Sequence, residues 1–444
     1  MKNVIFLLPY FIAVSSYCQH QPASYFHQNT AHTGVYSSGG SGGFGNLILK
    51  IKTGGKIFGS PAVSNGFVYI GSEDKNLYAI NIADKKLHWK FQTGGAVFSS
   101  PAVFNNVIYF GSYDGYFYAL NAVSGTLAWK FKTLGEKKVG AKGLWTMKPL
   151  SEYMDDPFDF FLSSPVIDEK NQIVYFGSGD GNVYALNAKN GQTIWTCKTN
   201  GIIHTSPALD NGTIYVGSWD KYFYAIDSKN GKIKWKFRTK DDSAMHLLEG
   251  IQSSATVADG MVYFGSRDGH FYALNAQSGQ LIWKYDASNS WILTTAAISN
   301  NTIYIGTSDT YKIVALDAKT GEEKYSVRAN GYVYSSPAIA GETLYIGDFT
   351  GQLLAIDLSS NGKILDRYET DGRKTNAKNV LNNDLIDFAY LVPGMDLSFY
   401  NATVAGMNKL YKVGSVVSSP VIADGNIFFG SADGYLYGLM LKKK

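Results

Sequence analysis

The side chains able to do chemistry in this 444-residue chain are few and scattered. Its seven histidines are His20, His27, His32, His88, His204, His246 and His270, and no zinc motif such as His-Glu-x-x-His occurs. Two cysteines, Cys18 and Cys197, leave no disulfide scaffold, no adjacent-cysteine pair and no Cys-x-x-Cys-His haem site. No Gly-x-Ser-x-Gly elbow sits on a strand–helix junction. Asp155, Asp156 and Asp159 stand close enough in sequence to offer hard oxygen ligands to Ca²⁺, and a solvated acidic loop is the plainer reading. One aspartate recurs at Asp74, Asp114, Asp180, Asp220, Asp268, Asp309 and Asp433. Seven identical catalytic bases would serve no purpose. An Asp that opens a turn and accepts from its own backbone serves one each time.

Composition narrows the class. Forty basic and 36 acidic residues give a net charge of +4, which does not mark a dedicated nucleic-acid binder. Charged residues are 17% and aromatic ones 14%, which excludes a mostly disordered chain. Thirty-one Tyr, 25 Phe and 47 Gly favour strands joined by frequent turns. Residues 1–18 read as an export signal: Lys2, an apolar run over 4–14, then Ser15, Ser16, Tyr17 and Cys18. The run is too short to span a bilayer, and no later stretch is long enough for a transmembrane segment. Cleavage after Cys18 would leave Gln19 first. The rival reading makes Cys18 a lipid anchor, although Tyr17 is bulky for the position before such a cysteine. Residues 19–44 read as a flexible leader.

The elements that must position any site come from a repeat. Its fullest copy, residues 99–131, runs Ser-Pro-Ala-Val, a turn, Val-Ile-Tyr-Phe-Gly-Ser, Asp-Gly, Tyr-Ala-Leu-Asn-Ala, Ser-Gly and Trp-Lys-Phe. The Gly ending the second apolar run recurs at Gly71, Gly111, Gly177, Gly217, Gly265, Gly306, Gly347 and Gly430. The period is about 40 residues, broken by insertions at about 134–160, 240–250 and 366–411. Four strand-like runs per copy, with Asp-Gly as a hairpin signal, predict four-stranded propeller blades. The expected fold is all-β: an eight-bladed β-propeller over residues 45–441. The last copy lacks its fourth strand, and residues 45–54 match that strand in register, so the N-terminal strand is expected to complete the last blade and close the ring. Six of the eleven prolines fall at one repeat position, suited to an inner edge strand that needs no ladder donor there.

The spacing Ala119, Asn121, Gly125, Trp129 resembles the tryptophan-docking motif of pyrroloquinoline quinone (PQQ) type propeller repeats. It recurs at Ala185/Gly191/Trp195, Ala225/Gly231/Trp235 and Ala273/Gly279/Trp283. The first copy keeps Trp89 with Lys85 for Gly, the sixth has Tyr325 for Trp, and the seventh is shifted and has lost the Trp. Asn29 to Gly34 resembles the leader before the first blade of such proteins. The resemblance implies a structural role between blades for Trp89, Trp129, Trp195, Trp235 and Trp283. It allows two branches. A BamB-like branch is non-catalytic and serves outer-membrane protein assembly. A quinoprotein dehydrogenase branch uses PQQ with Ca²⁺.

With no catalytic constellation, binding is expected where the copies differ. The insertions and the turns between second and third strands should share one face. Candidate contacts there are Tyr113, Trp219 and Arg267 at turn tips, and Trp145, Met147, Tyr153 and Phe158 in the first insertion. These loops present either an interface or a lid over the channel mouth. The resulting expectation is an exported, monomeric, non-catalytic scaffold in the periplasm, at the outer membrane or secreted. Its partners would be envelope or outer-membrane proteins or peptides, and no cofactor would be needed. A PQQ-dependent dehydrogenase and a glycan-binding surface protein stand as alternatives.

Overall fold

Blade 2 shows how one repeat becomes a sheet. Its strands are Ala102–Phe104, Val107–Ser112, Tyr116–Asn121 and Leu127–Lys132, paired antiparallel in that order. The two middle strands are almost wholly buried, because each blade is packed on both faces by its neighbours. The fourth strand alternates exposed and half-buried residues. The structure, a computed structural model, describes residues 24–37, 42–144, 150–241, 250–394 and 399–443. Within these, eight four-stranded antiparallel sheets follow one another, and a separate hairpin joins Gly140–Lys142 to Tyr153–Asp155. The eight-bladed propeller expected from the repeat is the fold.

The ring closes through its ends. Phe44–Lys52 pairs with Tyr435–Leu441, placing Leu49 against Gly438 and Lys52 against Tyr435, so the N-terminal strand is the outer strand of blade 8. Blades 7 and 8 share an apolar cluster in which Tyr345 and Leu353 meet Phe44, Phe429, Tyr437 and Leu439, with one polar tie at its outer edge. Asp366 pairs with Ala355 where blades 1 to 5 have Trp, and its carboxylate accepts the Phe44 amide at 3.0 Å. This register also moves a boundary. The fourth strand of blade 7 runs from Lys363 to Glu369, so the third insertion starts near residue 370, not 366.

Blades lock to one another at two recurrent points. Trp129 Nε1 donates to Ala188 O of the next blade at 3.0 Å, and its ring lies on Gly191. Gly191 has φ +71°, and a Cβ there would meet the indole at 2.6 Å, so only glycine fits. Trp89, Trp195, Trp235 and Trp283 dock the same way onto Gly125, Gly231, Gly279 and Gly321. The recurring Asp does more than shape its own turn. Asp114 accepts from the Tyr116 amide at 3.0 Å, and it also accepts from Tyr118 Oη and from the Gly94 amide leaving blade 1, both at 2.7 Å.

Within the stretch read as a flexible leader, residues 24–37 are packed against the inner strands. Carbonyls of Thr30, Ala31, Thr33 and Gly34 accept from the amides of Leu209, Val257, Ile298 and Ile339, on blades 4, 5, 6 and 7 in turn. Val35–Tyr36 then pairs in parallel with Ala338–Ala340. The physical reason is an open edge: each inner strand is three residues long and has amides to satisfy. His27 and His32 are buried in this strap, bonded to Pro337 O at 2.8 Å and Ala255 O at 3.0 Å.

A candidate binding cleft beside the capped channel mouth

The residue two places before each inner strand bears a hydroxyl in all eight blades: Ser60, Ser100, Ser164, Ser206, Ser254, Thr295, Ser336 and Ser419. Seven of these hydroxyls or their neighbours are tied amide-to-hydroxyl at 2.8–3.0 Å, so the channel is cinched by a ring of side chains. The axial space left at this level is about 30 Å³, room for a water or two.

Two positions earlier in each copy is a residue that varies: Phe58, Phe98, Leu162, His204, Gln252, Leu293, Tyr334 and Val417. These face the channel mouth, and the first insertion is anchored to the two polar ones. Asp159 accepts from His204 Nδ1 at 2.7 Å, and both side chains are buried. Glu136 lies 3.6 Å from the other ring nitrogen and also accepts from Ser178 Oγ and the Gly179 amide. Burial alone would pull the imidazole down, but Asp159 and Glu136 together hold it up at about 10, so His204 is a buried cation at neutral pH.

Gln252 works through Arg267. The guanidinium bonds Gln252 Oε1 from Nε at 2.9 Å and from Nη2 at 2.6 Å, and pairs with Asp156 at 2.6 Å. It is sandwiched between the indoles of Trp219 and Trp291, 4.6 and 4.2 Å from their centres. Arg267 is 1% exposed, so its expected role as a surface contact is corrected. A carboxylate brought down by the insertion neutralises it, which no local pattern around residue 267 encodes. Phe158 is also corrected from exposed contact to core. It is 7% exposed and meets Trp291, Tyr332 and Tyr334 edge-on. The described part of the first insertion is therefore a lid, held by two buried ion pairs.

The third insertion adds α1 (Asp371–Val380), α2 (Phe388–Leu391) and α3 (Phe399–Leu410). Thr370 caps α1 by accepting the Arg373 amide, and Arg373 is itself buried, bonding Glu369 at 2.9 Å, Asp384 at 2.8 Å and Thr350 O at 2.8 Å. From α3, Met407 and Leu410 join Phe58, Phe160, Tyr334 and Phe349 in one apolar cluster with the lid. Tyr400 Oη donates to Asp155 O at 2.8 Å, tying helix to lid.

Between lid, α3 and blades 1 and 2 lies an open cleft of about 680 Å³. Phe58, Phe98, Phe160, Val404 and Met407 form its apolar lining, and Tyr113, Tyr400 and Tyr411 add phenol rings. Two ion pairs edge it, Lys56 with Glu73 at 2.8 Å and Lys138 with Asp155 at 3.4 Å. Of the sequence candidates, Tyr113 lines the cleft and packs edge-on against His204. Tyr153, 53% exposed, stands on the lid hairpin and donates to Lys138 O at 3.2 Å. Trp219 is half-buried beneath Arg267. Trp145 and Met147 lie outside the described residues. Asp155, Asp156 and Asp159 do not converge, each being taken by a different cation. Sequence reasoning missed Gln252, Trp291, Val404 and Met407. Variation two residues before the ring hydroxyl was the available signal for the first of these.

Among the described residues, no helix is long and apolar enough to cross a membrane. The family model for outer membrane protein assembly factor BamB matches residues 45–143, 141–286 and 243–444. BamB from Moraxella catarrhalis superposes with a TM-score of 0.64 at 16% identity, over 89% of this chain and 99% of that one. Quinohemoprotein alcohol dehydrogenase from Comamonas testosteroni superposes with a TM-score of 0.68 at 13% identity, over 95% of this chain and 80% of that one. At these identities the likeness is one of fold. The β-alanine-activating enzyme of Danio rerio is 44% identical over 50 residues, 11% of this chain, and the chain spans only 4% of that enzyme's length. The family match covers every blade, and the chain belongs to the PQQ-repeat propeller family of outer membrane protein assembly factor BamB.

Proposed function

We propose that this protein is an exported, non-catalytic scaffold of the bacterial envelope that docks a polypeptide partner in the cleft between lid and α3. The observation that carries this reading is where the cleft lies. It is built from the two described insertions, the segments in which the copies depart from one another, and it pairs an aromatic and aliphatic lining with a charged edge, as protein-binding patches do. Membership in the BamB family supports a role in outer-membrane protein assembly. The start of the chain supports export, with cleavage after Cys18.

A quinone role finds poor support in the residues present. PQQ is a three-ring quinone with three carboxylates. The axial space of about 30 Å³ is too small for it. The cleft is large enough, but it sets five carboxylates against Lys56 and Lys138, and both lysines, like His204 and Arg267 behind them, are already engaged by these carboxylates. A tricarboxylate is disfavoured there, and no group of three metal-binding side chains stands among the described residues to bring a cation with it.

The reading is tested in the native cell. Val404→Glu/Asn408→Glu places two charges on the cleft lining. It should reproduce the outer-membrane defect of a deletion strain while protein level stays normal, and Asn65→Glu on the opposite face should not. A normal envelope in the double variant would overturn the assignment. Saturable PQQ binding, in the presence of Ca²⁺, would overturn its non-catalytic part.

A further inference from the structure

The outer wall of the propeller is electrostatically lopsided. The fourth strands of blades 8, 1, 2, 3 and 4 are Phe44–Lys52, Lys86–Gln92, Leu127–Lys132, Thr193–Lys198 and Ile233–Arg238, and each carries at least one exposed lysine or arginine and no acid. The same strand in blades 5, 6 and 7 mixes its basic residues with Asp286, Glu323, Asp366 and Glu369. Lysine on an edge strand guards against unwanted strand pairing. That purpose applies to every blade and does not by itself keep acid out of five successive outer strands, beside which Asp371, Asp227 and Asp241 pair with Lys50, Lys234 and Arg238. Tyrosines at the start of third strands steady the charges: Lys130 lies 4.5 Å from the ring centre of Tyr116, and Lys236 lies 4.4 Å from that of Tyr222. Aliphatic side chains stand among them. Leu87 and Leu127 are each 45% exposed and share one register, two residues before the docking Trp. Leu47 and Ile233 repeat that exposed position in blades 8 and 4, and Leu281 of blade 5 continues it beyond the arc at 39% exposure.

We propose that this arc of wall docks onto an anionic lipid bilayer. The composition identifies the partner. Polypeptide interfaces are rich in arginine and aromatic residues and poor in lysine. Here lysine dominates, on an outward-curving wall. A strongly hydrated ammonium on a flexible stem matches a diffuse field of headgroup charges better than a fixed carboxylate. The exposed leucines add apolar contact at the headgroup boundary. Two neighbouring blades, such as 1 and 2, meet a flat surface together. The arc lies on the side wall, away from the cleft, so a bilayer and a cleft partner can be held at once.

The test is co-sedimentation of the full chain with vesicles of equal parts phosphatidylglycerol and phosphatidylcholine. Binding is expected at low salt and lost at high salt. Lys130→Glu/Lys132→Glu should weaken it about tenfold or more, both reversals falling on the outer strand of blade 2. Leu87→Ser/Leu127→Ser should weaken it severalfold. Lys284→Glu/Lys324→Glu, on blades 5 and 6, should change it by less than about twofold, and circular dichroism should show every variant folded. Failure to sediment with anionic vesicles, equal binding to pure phosphatidylcholine, or unchanged binding by K130E/K132E would overturn the proposal. Displacement from vesicles by polyglutamate at matched charge would assign the arc to an acidic polypeptide instead.

Discussion

At the scale of single residues, the molecule spends its strongest interactions on holding the lid. Arg267 and Asp156 are buried together, so removing one strands the other. Arg267→Ala is expected to lower unfolding free energy by about 3–5 kcal/mol in urea titrations, whereas Arg267→Met/Asp156→Leu, which removes both charges, should lose much less. Equal losses in single and double variants would show that the pair is not coupled. His204 gives a pH signature. Its proton affinity is raised from 6.5 in the unfolded chain to about 10 in the folded one, so its contribution is complete below pH 6.5 and fades as pH rises toward 10. The stability advantage of the natural chain over His204→Gln should therefore shrink steadily between pH 7 and 10. The residue scale is also where sequence legibility was poorest. Tyr113 and Tyr153 could be located from turn and insertion positions. Arg267 and Phe158 could not be judged buried, because the partners that bury them, Asp156 for the first and Trp291, Tyr332 and Tyr334 for the second, are more than 100 residues away.

At the scale of elements, docking and strapping carry the argument. Trp129→Ala should cost less than the about 3–5 kcal/mol of a fully buried aromatic, because the docked indole is half-buried. Gly191→Ala should also destabilise, because its Cβ meets the indole at 2.6 Å with φ at +71°. The double variant should recover part of the Gly191→Ala cost, since the clash leaves with the ring. These positions were readable because blade contacts repeat with the sequence period. The strap over residues 24–37 was not, because a single unrepeated segment shares backbone hydrogen bonds with five different blades, Ser24 pairing with Val103 of blade 2 besides the four above. It carries its own pH dependence. Burial lowers His27 to about 4 and His32 to about 3, the charge of His27 adding to the second. The unfolded chain takes up these protons below 6.5 and the folded one does not, so strap stability falls as pH drops from 6.5 toward 4. Hydrogen exchange, corrected for intrinsic rate, should show the amides of Leu209, Val257, Ile298 and Ile339 less protected at pH 4.5 than at pH 7. Unchanged protection would mean the strap does not depend on neutral histidines.

At the scale of the whole molecule, ring closure by Phe44–Lys52 divides the surface into faces with separate uses. The strap seals one end of the channel. The insertions cap the other and build the cleft. The wall between them carries the basic arc. Blade number and closure were legible in the sequence, because a 40-residue period and a missing fourth strand state them directly. The cleft was legible only as a face, since its walls come from residues over 300 positions apart, Phe98 and Met407 among them. The most direct test of the docking role is site-specific photocrosslinking in the native cell, with the probe at Tyr400 and, for comparison, at Asn65 on the opposite face. A β-barrel membrane protein or one of its assembly partners captured from Tyr400 and not from Asn65 is the predicted result. No adduct from Tyr400, or the same adducts from both positions, would contradict the account.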